Sequence, residues 1–368
     1  MKINESLKTQ KFLLFKKIIS FIKFIILFFS LIIFFFTNNK TKKKIGVISL
    51  PTDDNAGNIL IKFSIYVKLK ELGFDPIIIC FSYTKNNFLK KHVKLKLIKK
   101  DYCELNKNDY DILMVNSDQT WNGFEKFADN VLNVGYLKFA ENWTVPRFVY
   151  GASLGVDYWK FSNKFDIIAR QLLKKFTGIS VREIGAIKIV EKHLGIHPEL
   201  VLDPTLIIDK KYYLDLIKYY KINFNYKEKH LCLYQLDENI FIEKLIRDVS
   251  QLFKYKVYMI NLYKQKFIEN FIFCINNSNA VITDSFHGTI FSIIFEKPFI
   301  TFINEVRGID RFNSLIKVFN FSQRIVGQKN FKKVNINLLK TPLNVNQSLL
   351  KYLKNRSINF LKKNLKVK

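Results

Sequence analysis

Ile45-Gly46-Val47-Ile48-Ser49-Leu50, then Asp53-Asp54-Asn55-Ala56-Gly57-Asn58, the breaker-free run Ile59 to Leu72, and Pro76 to Phe81 together decide the fold of this 368-residue chain. The first segment reads as a buried strand, the second as a turn, the third as a helix and the fourth as the next strand. This is a βαβ unit with its turn at the carboxyl edge of a parallel sheet. Gly57 and Asn58 let backbone approach a ligand at that edge. With no G-x-G-x-x-G, the turn is not a dinucleotide fingerprint.

The same alternation continues outward. Asp111 to Val115 is a strand ending in the polar loop Asn116-Ser117-Asp118-Gln119-Thr120-Trp121-Asn122. Such a loop can bond sugar hydroxyls and stack Trp121 on a pyranose face, or be an Asx-turn with Trp121 in the core. Phe148 to Leu154 and Ile179 to Glu183 are further strands, with Ile184 to Leu194 helical behind them. Arg182 stands where strand passes into helix, suited either to an anion or to pairing with Glu183 or another carboxylate. A second α/β series follows: strand Leu231 to Gln235, helix Ile240 to Phe253, strands Lys256 to Ile260 and Ala280 to Ile282, helix Phe286 to Glu296, and strand Phe299 to Ile303. The expected division is a basic, hydrophobic segment 1–44, a Rossmann-like domain 45–208, a linker 209–229, a second Rossmann-like domain 230–330, and a tail 331–368. Its closing helix, 347–364, can cross back to the first domain. Two facing α/β halves match the GT-B architecture.

Within the second series, Ile282-Thr283-Asp284-Ser285-Phe286-His287-Gly288-Thr289 runs from a buried strand into an apolar helix. Asp284 and Ser285 are good N-cap residues, so helix N–H groups and the positive dipole end face whatever lies above the strand. On a helical wheel Ser285, Thr289, Ser292 and Glu296 form a polar stripe opposite His287, which therefore points inward, to a cleft or to the core. Asn304-Glu305-Val306-Arg307-Gly308 follows the next strand, so Arg307 and His287 can converge if the two strands are neighbours. Arg311, one turn further, reads more readily as a surface arginine.

The formal charge of +29 ordinarily suggests nucleic acid or an anionic surface. Yet 52 of the 60 basic residues are lysines dispersed among Ile, Asn and Phe, the mixture an AT-rich genome encodes, and this argues against nucleic acid. Cys80, Cys103, Cys232 and Cys274 lie far apart, without disulfide or zinc spacing, which fits a reducing compartment. No metal cluster is expected.

Ile18 to Phe36 carries a single charge, Lys23, and as a helix would rise about 28 Å, nearly the hydrocarbon thickness. Lys16, Lys17, Ser20 and Lys23 share a side, so the first part suits the headgroup region. The expectation is an N-terminal membrane-anchor helix, spanning or monotopic, engaging the membrane through residues 12–36. Lysines flank it on both sides and leave orientation open, while the free thiols favour a catalytic domain on the cytoplasmic side.

Several blocks in order resemble the polysaccharide pyruvyl transferase family: Gly57-Asn58, Ser117-Asp118-Gln119-x-Trp121-Asn122, Tyr150-Gly151-Ala152-Ser153-x-Gly155, Ser180-Val181-Arg182-Glu183, Leu202-Asp203-Pro204-Thr205, Asp284 to Thr289, and Arg307-Gly308 with Arg311-Phe312. The branch it resembles reads D-S-F-H-G-T. The resemblance implies a GT-B enzyme, with 45–208 on the acceptor side and 230–330 on the phosphoenolpyruvate side, that moves the enolpyruvyl group of phosphoenolpyruvate onto two sugar hydroxyls of a cell-surface polysaccharide or its lipid-linked precursor, with no other cofactor. It also implies that Arg182 and His287 meet phosphoenolpyruvate. His287, Asp118 and Glu183 are then the candidate acid–base groups. Arg182, Arg307, Arg311, Asp284, Ser285, Gly288, Thr289, Gly57, Asn58 and Trp121 are the candidate binding residues. Well-studied members carry D-R-L-H-G, so Ser285 replaces an arginine and Arg307 is the candidate substitute. A nucleotide-sugar glycosyltransferase and a non-catalytic binding protein of the same fold are the competing readings.

Overall fold

A computed structural model describes residues 42–82, 87–220, 227–260, 266–303, 308–327, 330–331 and 334–366. The expected anchor at 12–36 and Arg307 lie outside the described residues. Among those described, no helix is long and apolar enough to cross a membrane.

Two parallel sheets organise the globular part. The first contains β1 (Lys44–Ile48), β2 (Asp75–Cys80), β3 (Leu95–Leu97), β4 (Ile112–Val115), β5 (Arg147–Ala152), β6 (Phe176–Val181) and β7 (Glu199–Leu200), in the order β3-β2-β1-β4-β5-β6-β7. The second contains β8 (His230–Tyr234), β9 (Lys256–Met259), β10 (Ala280–Thr283), β11 (Phe299–Phe302) and β12 (Ile325–Val326), in the order β12-β11-β10-β8-β9. Central strands β4, β5, β8, β10 and β11 are buried along their whole length. Their continuous apolar runs, without alternation, suit sheets covered on both faces.

Strand order reverses between β1 and β4 in the first sheet and between β8 and β10 in the second. At such a reversal the following loops diverge to opposite faces and leave a crevice at the carboxyl edge. Helices α1 (Ala56–Glu71), α2 (Ile184–Leu194), α3 (Pro204–Ile207), α4 (Phe286–Ile294) and α5 (Ile309–Phe319) start at or near that edge. The last helix, α6 (Gln347–Leu365), returns to the first sheet: Phe360 packs on Phe148 and Tyr150, and the Ser357 hydroxyl accepts from Leu202 N–H at 2.8 Å.

Some local expectations shift. Gly57 and Asn58 lie in the first turn of α1, because the Asn55 side chain caps it by accepting from both N–H groups. Of the polar stripe along α4, Glu296 just beyond its end is exposed, but Ser285, Thr289 and Ser292 are buried. Thr289 is buried, its hydroxyl donating to Ser285 O and bonding the Thr301 hydroxyl at 2.7 Å, while Ser292 donates to Gly288 O. Hydroxyls can satisfy themselves on the preceding turn, so a polar stripe does not require water.

Candidate active site

A cleft of about 340 Å³ opens above both strand-order reversals. Leu50, Asp53, Asn55 and Asn58 line it from the loop after β1, and Asp118 and Gln119 from the loop after β4. Leu236 follows β8, and Asp284, Ser285, Phe286 and His287 follow β10, with Arg311 and Phe312 added from α5. The two halves thus contribute one wall each.

His287 crosses between them. Its ring lies so close to Gly57 that a Cβ there would come within 1.9 Å of Nδ1. The other nitrogen, Nε2, is buried and stands 3.5 Å from Asp203 Oδ2, a charge contact at the limit of hydrogen bonding. Nδ1 is therefore the nitrogen on the Gly57 side of the ring, with Asp203 on the other, and His287 itself lines the cleft. Gly288 is needed for close approach, because a Cβ would fall 2.3 Å from the Thr283 hydroxyl. The Ser285 hydroxyl caps α4 by accepting from Gly288 N–H, and no described group bonds the N–H groups of Phe286 and His287. Asp284 is not a helix cap: its carboxylate accepts from Leu236 N–H at 2.8 Å and Asp237 N–H at 3.0 Å, fixing the loop after β8. Burial pushes its pKa up.

Asp203, which heads α3 and accepts from Thr205 N–H and hydroxyl, was not among the candidate site residues. The signal was present in the Leu202-Asp203-Pro204-Thr205 block. Burial pushes the Asp203 carboxyl up, but His287, Arg182 and Thr205 outweigh it and hold it below the usual carboxylate range. Sequence reading also passed over Lys62, one turn into α1 from Asn58. Lys62 is buried and donates to the Asn58 side chain under the cleft floor, and burial lowers its pKa.

Arg182 is not an open anion site. Its guanidinium donates to Asp203 at 2.6 Å, Asp118 at 3.0 Å and Glu183 at 3.3 Å, with a side chain only 2% exposed. Burial lowers its pKa, and the three carboxylates more than reverse this. Its place here is to hold Asp203 and Asp118. Glu183 lies behind it, 1% exposed and outside the cleft lining, with burial raising its pKa. Asp118 does reach the cleft. Burial raises its pKa, but Arg182, His287, Arg311 and Lys62 prevail and keep it low. Its φ of 96° is rare for a residue with a Cβ, the kind of strain that functional sites retain.

Trp121 does not face a ligand. It is buried, donates its indole N–H to Gly135 O at 2.9 Å and stacks on Tyr136 with centroids 5.0 Å apart. Its loop turns it into the core while Asp118 and Gln119 line the cleft. Thr289 and Gly288 are likewise structural. Arg311, by contrast, is buried rather than on the surface: it lines the cleft with its guanidinium 5.0 Å from the Phe286 ring centroid. Burial, then the nearby Arg182, lower its pKa to about 10. A desolvated cation beside another cation has the electrostatic character of an anion ligand. Arg147 and Arg324 differ, since backbone carbonyls surround both.

The fold and site define an α/β enzyme scaffold of two parallel sheets, GT-B-like, with a cleft that joins a carboxylate-paired histidine to a buried arginine. Solved structures of the same fold include the S. aureus MnaA–UDP complex, at 14% identity, TM-score 0.57, covering 89% of this chain and 98% of that one. UDP-N-acetylglucosamine 2-epimerase from Neisseria meningitidis bound to UDP-GlcNAc aligns at 10% identity and TM-score 0.53, over 87% and 100%. The putative Listeria monocytogenes enzyme of that description aligns at 10% and 0.52, over 88% and 97%. No curated protein sequence matches the chain. The polysaccharide pyruvyl transferase family model matches residues 55–305, and the chain belongs to that family of enzymes.

Proposed function

We propose that the cleft transfers the enolpyruvyl group of phosphoenolpyruvate to a saccharide diol, giving a pyruvate ketal and phosphate. The observation that supports this reading is His287, paired with Asp203 and lining one cleft with Arg311 and the α4 N-terminus. Phosphoenolpyruvate carries a phosphate and a carboxylate, which a guanidinium and helix N–H groups can hold.

In the reaction His287 gives its Nδ1 proton to the methylene carbon C3, and positive charge develops at C2. One acceptor hydroxyl adds to C2, with Asp118 taking its proton. Phosphate leaves as the C2–O bond breaks, and the second hydroxyl closes the ketal. One hydroxyl proton replaces that spent on C3 and the other ends on phosphate, so no net proton or electron is required. Asp203 orients the imidazole and stabilises it when charged.

Thermal-shift titration tests the donor. Phosphoenolpyruvate is expected to raise the melting temperature, with UDP having little effect. Stabilisation by UDP and not by phosphoenolpyruvate would replace this reading with nucleotide-sugar transfer, since the fold relatives bind UDP and UDP-GlcNAc.

A further inference from the structure

We propose that the acceptor is held as an oligosaccharide of at least two sugars, in a second groove on the first half that continues the cleft; this rests on the transferase reading above. The groove measures about 650 Å³, against about 340 Å³ for the cleft, and Leu50 borders both. The loop after β4 is their common wall: Asp118 and Gln119 face the cleft, whereas Thr120 and Asn122 face the groove. Asn122 ties the wall together, donating to Gln119 Oε1 at 2.8 Å and accepting from Lys160 at 2.9 Å.

The groove has the chemistry of a neutral polyol site. Asn130 and Asn133, three residues apart on the helix Ala128–Tyr136, line it from one helix face, and neither side-chain amide bonds any described group. Each offers two donors and an acceptor, the complement of neighbouring sugar hydroxyls. Phe139, half-buried and stacked on Tyr102 with centroids 4.9 Å apart, supplies an apolar face for pyranose C–H groups. Charge does not favour a phosphate. Lys138 is bound to Asp129 at 2.8 Å, and a carboxylate, Asp101, lines the groove next to Lys100. A sugar reacting at Asp118 and joined to one past Leu50 would therefore use both spaces.

The test is saturation-transfer NMR on the full chain with the methyl glycosides of galactose, glucose, mannose and N-acetylglucosamine, and with lactose, cellobiose, mannobiose and chitobiose. At least one disaccharide should give stronger transfer than its monosaccharide glycoside. The double variant Asn130→Ala/Asn133→Ala should weaken that binding roughly tenfold, the loss of two neutral hydrogen bonds. Alanine suits an exposed helix face, so circular dichroism melts should match the parent. Undiminished transfer in the variant, or no disaccharide preferred over its monosaccharide, overturns the proposal. The phosphoenolpyruvate thermal shift is measured on the same samples. A wild type that binds the disaccharide and not phosphoenolpyruvate sinks the donor assignment and supports the groove.

Discussion

Gly57→Ala is a single-methyl test of how the two halves meet. The added Cβ would sit 1.9 Å from His287 Nδ1, 2.3 Å from Cγ and 2.6 Å from Cε1, where ordinary contact begins at 3.4 Å. The imidazole must recede by roughly 1.5 Å, the difference between 3.4 and 1.9 Å. A displacement of about 1 Å from reacting geometry can cost on the order of 100-fold in rate. Stability moves by opposing effects: alanine favours the helix by about 1 kcal/mol, while overpacking costs about 1–3 kcal/mol. The net change should therefore stay within about 2 kcal/mol and leave a folded protein. Phosphate release from phosphoenolpyruvate in the presence of a polysaccharide acceptor should fall about 100-fold while the urea midpoint moves little. Turnover within twofold of the parent would refute both the position of His287 and its acid–base role.

Asp203→Asn removes one member of a buried cluster, but Arg182 keeps Asp118 and Glu183, so the loss at neutral pH should lie near the lower end of the range, about 3 kcal/mol. The folded-state carboxyl titrates below its ordinary value of 3.8, so its contribution is full above that value and is lost as pH falls through the lower, folded one. Urea melts should show a wild-type advantage equal at pH 7 and pH 5 that narrows below about pH 4; an advantage still full at pH 3 contradicts the pairing. Arg311→Ala should weaken phosphoenolpyruvate binding by about 10- to 100-fold, the loss of a charge-assisted hydrogen bond, as read by calorimetry. Trp121→Ala should cost about 3–5 kcal/mol in chemical denaturation. Trp121→Phe should fold and keep its saccharide signal in NMR, because the indole faces the core; selective loss of that signal would return Trp121 to the ligand surface.

Residues 45–81 already specify a βαβ unit, and the repeat of that pattern after residue 230 specifies two parallel sheets, because helical and strand periodicity and capping arise from neighbours in the chain. The same locality made the α4 corner legible: Ser285 is its cap, and His287 points inward. The roles of Arg182, Trp121 and Arg311 were not legible. A carboxylate, a core ring or a cleft wall becomes the partner only when distant strand ends are brought to one edge. Arg182 took three carboxylates, and Arg311 lines the cleft. The pairing of Asp203 with His287 joins one half to the other, and only the packing of α4 against Gly57 places them together. Sequence alone thus determined the elements and the chemical types available at their ends. Tertiary structure decided which of those ends share a cleft, since burial and charge pairing act through space rather than along the chain.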